Sequence, residues 1–277
     1  KDTTEPAMRA VKEAGIREAV CTMWQDDGAE TPMGAGLSSI VRFAEHGFAK
    51  EVSEEALKEQ FEFLTGTSWE ACEILGEFDR PQGSAFYDNP SKYLLYQDVL
   101  IGLFDEQIRN WDVKSYYEGL RDRLLKALEE GMKRNCTQKN CMQILQRGGG
   151  YAEEVLSLYV CLADALSVKA PLGRKMHEAY EKKDRQALAA LAEKEIPLAM
   201  EKIRVYRDRR EALWNRESRI FGFEVLDIRI GGLLARLESA KKRVESWLNG
   251  EVDSLPELEE PRLPFRPVKE GEEHTLC

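Results

Sequence analysis

The stretch FGFEVLDIRIGGLLARLESAKKRVESWL, residues 221–248, decides the fold class of this chain. Its apolar residues are spaced alternately by three and four positions, the spacing of one face of a helix packed in a bundle. We therefore predict a long core helix over 219–249. Its inward face would comprise Phe223, Leu226, Ile230, Leu233, Leu237, Ala240, Val244 and Trp247.

Helical spacing also dominates the rest of the chain after residue 51. One helix is expected to begin after Ser53, because serine is a favoured N-cap residue. Short breaks containing Gly or Pro separate the helices. From Pro256 on, PELEEPRLPF is predicted to be an extended segment, and residues 266–277 a mobile tail. The other predicted helices cover 67–79, 91–109, 113–132, 151–169, 173–181 and 185–215.

The first 50 residues have a different pattern. A helix from Pro6 to Gly15 is followed by AVCTMW at 19–24, a short apolar run typical of a strand buried on both faces. A second helix, LSSIVRFAEHGF, follows at 37–48. A parallel strand needs a neighbour, and no later segment supplies one. We therefore predict that residues 1–50 are the closing helix–strand–helix piece of a larger α/β unit.

Composition excludes several classes of function. The net charge of −10 over 277 residues argues against a nucleic-acid partner. We see no apolar run of the roughly 18 residues that a membrane span needs, and no secretory signal. The six cysteines have no regular spacing, and with three scattered histidines they form no zinc set. We expect a cytoplasmic protein with reduced thiols, no metal and no cofactor.

The candidate ligand-binding residues are Trp24, Asp26 and Asp27, which follow the predicted strand. In α/β barrels, active sites lie at the carboxyl ends of the strands. A tryptophan offers a flat face to a sugar ring, and carboxylates accept hydrogen bonds from hydroxyl groups. The alternative is that Trp24 is a core residue and that the two aspartates cap the next helix.

The motif NPSKYLLYQDVLIGLFD, residues 89–105, is predicted to have a structural or interface role. Asn89 or Ser91 caps a helix in which Pro90 occupies the first turn. Tyr93 and Tyr96 are expected to pack against neighbouring elements with their hydroxyl groups satisfied, although they would also suit the lining of a pocket.

The centre of the 219–249 helix carries a second predicted interface. Asp227 with Arg229 or Arg236 is expected to form an ion pair there. The adjacent Gly231 and Gly232 weaken the helix by about 1 kcal/mol each relative to alanine, so we expect a close backbone approach at that point.

Three of these motifs, TMWQDDGAE (22–30), NPSKYLLYQDVLIGLFD and FGFEVLDIRIGGLLARL, with the closing PELEEPRLPF, resemble the end of glycoside hydrolase family 20. The resemblance is to its bacterial exo-β-N-acetylhexosaminidases with a helical C-terminal domain, and it runs from about residue 5 to 265. It implies a mainly α chain. A helical bundle-like domain at 51–265 would follow the last helix-strand-helix piece of a (β/α)8 catalytic barrel at 1–50.

The resemblance also implies an activity. In this family a catalytic Asp-Glu pair lies on the fourth barrel strand, upstream of the part that this chain matches, so the chain alone would be inactive. The nucleophile is the carbonyl oxygen of the substrate's own acetamido group. Trp24 would form one wall around the N-acetyl sugar, and Asp26 or, by preference, Asp27 would bind its hydroxyls. Gln25 replaces a glycine that is common after the tryptophan.

The resemblance implies that the parent enzyme binds an N-acetylated sugar or oligosaccharide and pairs as a homodimer through the 219–249 helix. The rival interpretation is a stand-alone helical protein-interaction module without enzymatic activity. A module of that kind would have no use for an unpaired apolar strand that ends in Trp24.

Overall fold

The computed structural model describes residues 3–24, 30–80, 89–137 and 150–264, and no side chains at 132–137. In these ranges all regular secondary structure is helical, which confirms the prediction of a mainly α chain. The helices are α1 (Thr4–Glu13), α2 (Leu37–Phe48), α3 (Glu54–Thr65), α4 (Trp69–Glu77), α5 (Pro90–Tyr96), α6 (Val113–Thr137), α7 (Tyr151–Lys169), α8 (Leu172–Glu181), α9 (Arg185–Ala190), α10 (Ile196–Glu217), α11 (Phe223–Leu248) and α12 (Pro256–Glu259). A 3-10 turn (Met33–Gly36) precedes α2, and a π-helical turn (Leu191–Glu195) joins α9 to α10.

The chain divides into two compact units. The first unit comprises Lys1–Phe78, Tyr117–Asp164 and Lys202–Ile230, and the second comprises Asp79–Tyr116, Ala165–Glu201 and Gly231–Cys277. The division passes through α6, α7, α10 and α11. The predicted domain boundary at residue 50 is a different kind of division and stays a prediction.

The inward face of α11 is confirmed almost completely. Its spacing by three and four residues places one stripe of side chains on the buried side of the helix. Trp247, at the end of the stripe, is partly exposed. The buried members are Phe223, Leu226, Ile230, Leu233, Leu237, Ala240 and Val244.

The start of α3 also follows the sequence prediction. The Ser53 hydroxyl accepts a hydrogen bond from the backbone N–H of Ala56 at 3.4 Å, which is an N-cap interaction. The helix ends at Gly66, which has a φ of +68° and so adopts the left-handed conformation typical of a helix C-terminus.

The helix predicted at 91–109 is wrong in its second half, because α5 ends at Tyr96. The carboxylate of Asp98 accepts hydrogen bonds from the backbone N–H groups of Leu100 at 2.9 Å and Ile101 at 3.2 Å. Gly102 then has a φ of +59°. Local side-chain bonding of this kind competes with helix continuation, so the segment forms turns instead.

The segment predicted to be extended from Pro256 begins with the single helical turn α12, so this prediction is wrong for Pro256–Glu259. A proline at the first helical position accounts for the turn, since its missing N–H is not needed there. Residues 261–264 have no regular secondary structure, and the predicted tail at 266–277 lies outside the described residues.

The predicted strand at 19–24 does not form in this chain. Residues 16–24 have no regular secondary structure, and Val20 is 85% exposed. A strand requires a partner for its backbone groups, and no second strand is present in the ranges that the structure describes. The exposed apolar run therefore has no sheet to join among the described residues.

Within the described part of the chain, the segment Tyr151–Glu181 has the length and hydropathy of a membrane span, so the expectation that no apolar run is long enough was wrong. In its most apolar window of 18 residues, 67% is buried inside the protein. Burial to this extent is typical of a core helix.

Candidate functional site

The structure describes the predicted sugar-binding residues only in part. Trp24 ends the exposed segment, and its side chain is 78% accessible. Asp26 and Asp27 lie outside the described residues, together with Gln25. Their role as hydroxyl-binding carboxylates therefore stays a prediction. The alternative that Trp24 is a core residue does not hold for this chain, because its ring is exposed.

Glu30 is the first described residue after Trp24, and it lies against α11. Its carboxylate forms an ion pair with the guanidinium of Arg229, and only 12% of the Glu30 side chain is exposed. An ion pair that is this well covered is screened less by salt than a surface pair. Arg229 was predicted to have an interface role, and within the first unit it binds the segment that follows Trp24.

A second attachment joins the same segment to α7. A Cβ on Gly34 would lie 2.7 Å from the Tyr151 hydroxyl and 2.5 Å from a methyl group of Val155, so only glycine fits here. The Tyr151 hydroxyl donates a hydrogen bond to Glu217 at 2.5 Å. Burial and then this carboxylate raise the pKa of Tyr151, so the phenol stays protonated and acts as a donor.

Arg210 lies beside Glu217, the acceptor of the Tyr151 hydrogen bond. Its guanidinium lies 3.5 Å from Glu217 and 5.2 Å from the ring centre of Trp214, and the side chain is almost fully buried. Tyr206 is also buried on α10, and its burial raises its pKa to about 12. We define the attachment cluster as Glu30, Tyr151, Arg210, Glu217 and Arg229. Its carboxylates face arginines, so the cluster is suited to holding a segment in place.

Within the attachment cluster, only Arg229 was predicted from the sequence to have a role, although α10 carried a signal for Arg210. Ile203, Tyr206, Arg210 and Leu213 are spaced by three, four and three residues, so the arginine occupies a core position of an otherwise apolar face. A charged residue at such a position requires a buried partner. Glu30 and Tyr151 had no comparable signal, since their partners are distant in sequence.

Met23, which precedes Trp24, lies close to the 3-10 turn Met33–Gly36. A Cβ on Gly36 would lie 2.8 Å from the terminal methyl group of Met23. The chain on either side of residues 25–29 is thus held near the start of α2.

Helix α2 has an unusual burial pattern. Its buried side chains are Ser38, Arg42 and His46, which are all polar and lie at i, i+4 and i+8. Ile40 and Phe48 lie on another face and are exposed, Phe48 to 93%. A surface helix normally shows the reverse arrangement.

The other predicted interface residues have different partners from those expected. Asp227 pairs with Arg207 at 2.8 Å, so the predicted pairing with Arg229 or Arg236 is wrong. Residues two apart on a helix do not face each other, which separates Asp227 from Arg229. Arg236 pairs instead with Asp98 at 2.8 Å.

Gly231, Gly232, Tyr93 and Tyr96 were also predicted to have interface or structural roles. No described atom lies within 4 Å of a Cβ built on Gly231 or Gly232, so the expected close approach does not occur within the described residues. Tyr93 stacks on Phe104, with ring centres 5.0 Å apart. Tyr96 is half-buried in the second unit. A packing role for these tyrosines is compatible with both positions.

A separate cavity of about 430 Å³ lies in the second unit, between residues 108–114 and the start of α8. Its charged side chains are engaged locally. Arg174 donates to the carbonyl groups of Ile108 at 3.1 Å and Arg109 at 2.6 Å, and Lys175 pairs with Glu195 at 2.7 Å. Trp24, the predicted ligand-binding residue that the structure describes, does not line this cavity.

Comparison with known proteins identifies one family. A family model described as the Glycoside Hydrolase 20C C-terminal domain matches residues 72–277. No curated protein matches the chain.

Proposed function

The chain belongs to the family of glycoside hydrolase 20C C-terminal domains, and from this premise we propose that it is the C-terminal part of an exo-acting β-N-acetylhexosaminidase. The parent enzyme would remove terminal GlcNAc or GalNAc with the substrate's acetamido oxygen as nucleophile. The catalytic Asp-Glu pair would lie upstream of this chain. The chain would supply one wall of the sugar pocket and a supporting helical domain.

The observation that carries the proposal beyond family membership is the burial pattern of α2. In a (β/α)8 barrel, each helix packs its apolar face on the strands. Ile40, Ala44 and Phe48 lie four residues apart along α2 and are exposed. The adjacent segment 16–24 is exposed as well. A barrel would bury both surfaces, with residues 17–24 as its eighth strand and α2 as its eighth helix.

Trp24 is the site residue that we propose with most support. Its exposed ring offers a flat apolar face, which suits stacking against the terminal sugar. Asp26 and Asp27 follow within three residues, and we propose that Asp27 binds the outer hydroxyls of that sugar. We further propose a cytoplasmic location and, for the parent enzyme, a homodimer.

The test is hydrolysis of an aryl N-acetyl-β-glucosaminide by the full-length protein and by this chain alone. We expect activity only in the full-length protein. Trp24→Ala and Asp27→Asn should each lower its kcat/KM at least tenfold, with unchanged circular dichroism. Phe63→Ala is the matched control, because Phe63 is an equally exposed aromatic residue on α3.

Three results would overturn the proposal in distinct ways. Robust hydrolysis by this chain alone would show that the chemistry does not lie upstream. No activity in the full-length protein would remove the enzyme assignment and favour the interaction module. Unchanged kinetics of Trp24→Ala would remove this residue from the pocket.

A further inference from the structure

We propose that Arg229 is a positioning residue for the sugar pocket, and that through Glu30 the helical domain sets the affinity for the sugar. This inference rests on the proposed function. Arg229 lies on α11, far along the chain from Trp24, and would not itself touch the substrate. Its effect would pass through the segment 30–36, which follows the predicted sugar-binding loop.

The ion pair between Arg229 and Glu30 lies close in sequence to the predicted sugar-binding residues. Glu30 lies six residues after Trp24 and three after Asp27, so fixing its carboxylate fixes the carboxyl-terminal end of the loop. Loop residues position ligands well only where a rigid scaffold holds them. The scaffold here is a helix whose inward face is fully packed on either side of Arg229, at Leu226 and Ile230.

The segment 30–36 is attached to neighbouring helices at two points, Glu30 and Gly34. Gly34 packs directly against Tyr151, and the Tyr151 hydroxyl is held by Glu217, which in turn lies against the buried Arg210. The distance from Glu30 to Gly34 is only four residues, so the two attachments leave the intervening segment little freedom. Residues in this arrangement keep a single geometry, which lowers the entropy lost when a ligand binds.

The first unit contains a second paired arginine with which Arg229 can be compared. Arg207 is its matched control, because it also pairs with an acidic residue, Asp227, and its side chain is 29% exposed against 32% for Arg229. The acidic partners of Arg207 lie on α10 (Asp208 and Glu211) and on α11 (Asp227), and none of them lies in the segment after Trp24. A general loss of helix packing would therefore affect both variants, whereas loss of loop positioning would affect only one.

The first experiment measures the attachment in this chain itself, by hydrogen exchange of the backbone amides at 30–36. We expect Arg229→Gln to raise their exchange rate at least tenfold, and Arg207→Gln to leave it unchanged. The double exchange Arg229→Glu with Glu30→Arg should restore protection. Equal exchange in wild type and Arg229→Gln would overturn the proposal at its structural step, whatever the activity of the parent enzyme.

The second experiment uses the full-length protein with the same aryl N-acetyl-β-glucosaminide. We expect Arg229→Gln to raise KM about tenfold with kcat changed less than twofold, and the charge exchange to restore KM. Unchanged KM with an active wild-type enzyme would overturn the positioning role alone. A wild-type enzyme without hexosaminidase activity would overturn the proposed function and this role together, while the hydrogen-exchange result would still stand.

Discussion

The guanidinium of Arg42 lies over the ring of Trp69, with 5.0 Å between the guanidinium carbon and the ring centre. The same guanidinium pairs with Glu54 at 2.6 Å and with Glu5. A nearly fully buried arginine thus joins α1, α2, α3 and α4 in the first unit. A buried charge is tolerated only when it is paired in this way.

We expect Arg42→Met to lower the free energy of unfolding by about 3 kcal/mol, because it leaves Glu5 poorly solvated and without its main partner. Lys58→Met is the control, since the Lys58–Glu70 pair is exposed and should contribute much less to stability. Urea denaturation of both variants measures the difference. Equal losses would mean that Arg42 contributes no more than a surface charge.

The stability of the first unit should depend on the protonation of His46. Burial lowers the pKa of His46 below its ordinary value of 6.5, and Lys12, Arg42 and Arg9 add to this effect against Glu5. In the pH range between the folded pKa and 6.5, the unfolded chain therefore binds more protons at His46 than the folded chain. The contribution of His46 to stability is present above about pH 6.5 and is lost as the pH falls through the lower folded pKa.

His46→Gln should remove this dependence. We expect the free energy of unfolding of wild type to fall more steeply than that of His46→Gln between pH 7 and pH 5, as measured by urea titration at each pH. The same comparison with His177→Gln separates the two histidines, because burial also lowers the pKa of His177. Parallel slopes for wild type and His46→Gln would contradict the prediction.

Gly102 should not tolerate replacement by alanine. An alanine there would adopt a φ of +59° and place its Cβ 2.1 Å from a carboxylate oxygen of Asp105 and 2.9 Å from Arg262. We expect Gly102→Ala to cost about 3 kcal/mol, from backbone strain plus displacement of a buried ion pair.

Gly66→Ala is the matched control for this substitution. Gly66 has a similar φ of +68° but no described atom within 4 Å of the added Cβ, so only the backbone strain of about 1 kcal/mol remains. Thermal unfolding of both variants tests the difference. Similar melting temperatures would indicate that Asp105 and Arg262 move aside easily.

Alanine should stabilise α11 at its two central glycines. Gly231 and Gly232 are exposed within the helix and have space for a methyl group, so each substitution should raise the free energy of unfolding by up to about 1 kcal/mol. Gly173→Ala is the contrasting variant, because its Cβ would lie 2.9 Å from Asp105. Destabilisation by Gly231→Ala would revive the expected close approach, with a partner outside the described residues.

The helical content was predictable because it depends on local periodicity. The seam of α11 and the exact bounds of α7 at 151–169 follow from residue spacing alone. The end of α5 was not predictable in the same way, because Asp98 redirects the chain through side-chain bonds to Leu100 and Ile101. Apolar spacing carries no information about such competing hydrogen bonds.

In the candidate site, too, some features follow from local sequence pattern and others only from tertiary contacts. The sequence by itself determined that Trp24 ends a short apolar run and that the regular structure of the described residues after it is helical. Only the tertiary structure decided that Arg229 pairs with Glu30 and that Arg210 is buried beside Glu217, since these partners are distant in sequence. Local pattern fixes which face of a helix is apolar. The choice of partner for a charge depends on which elements the folded chain brings together.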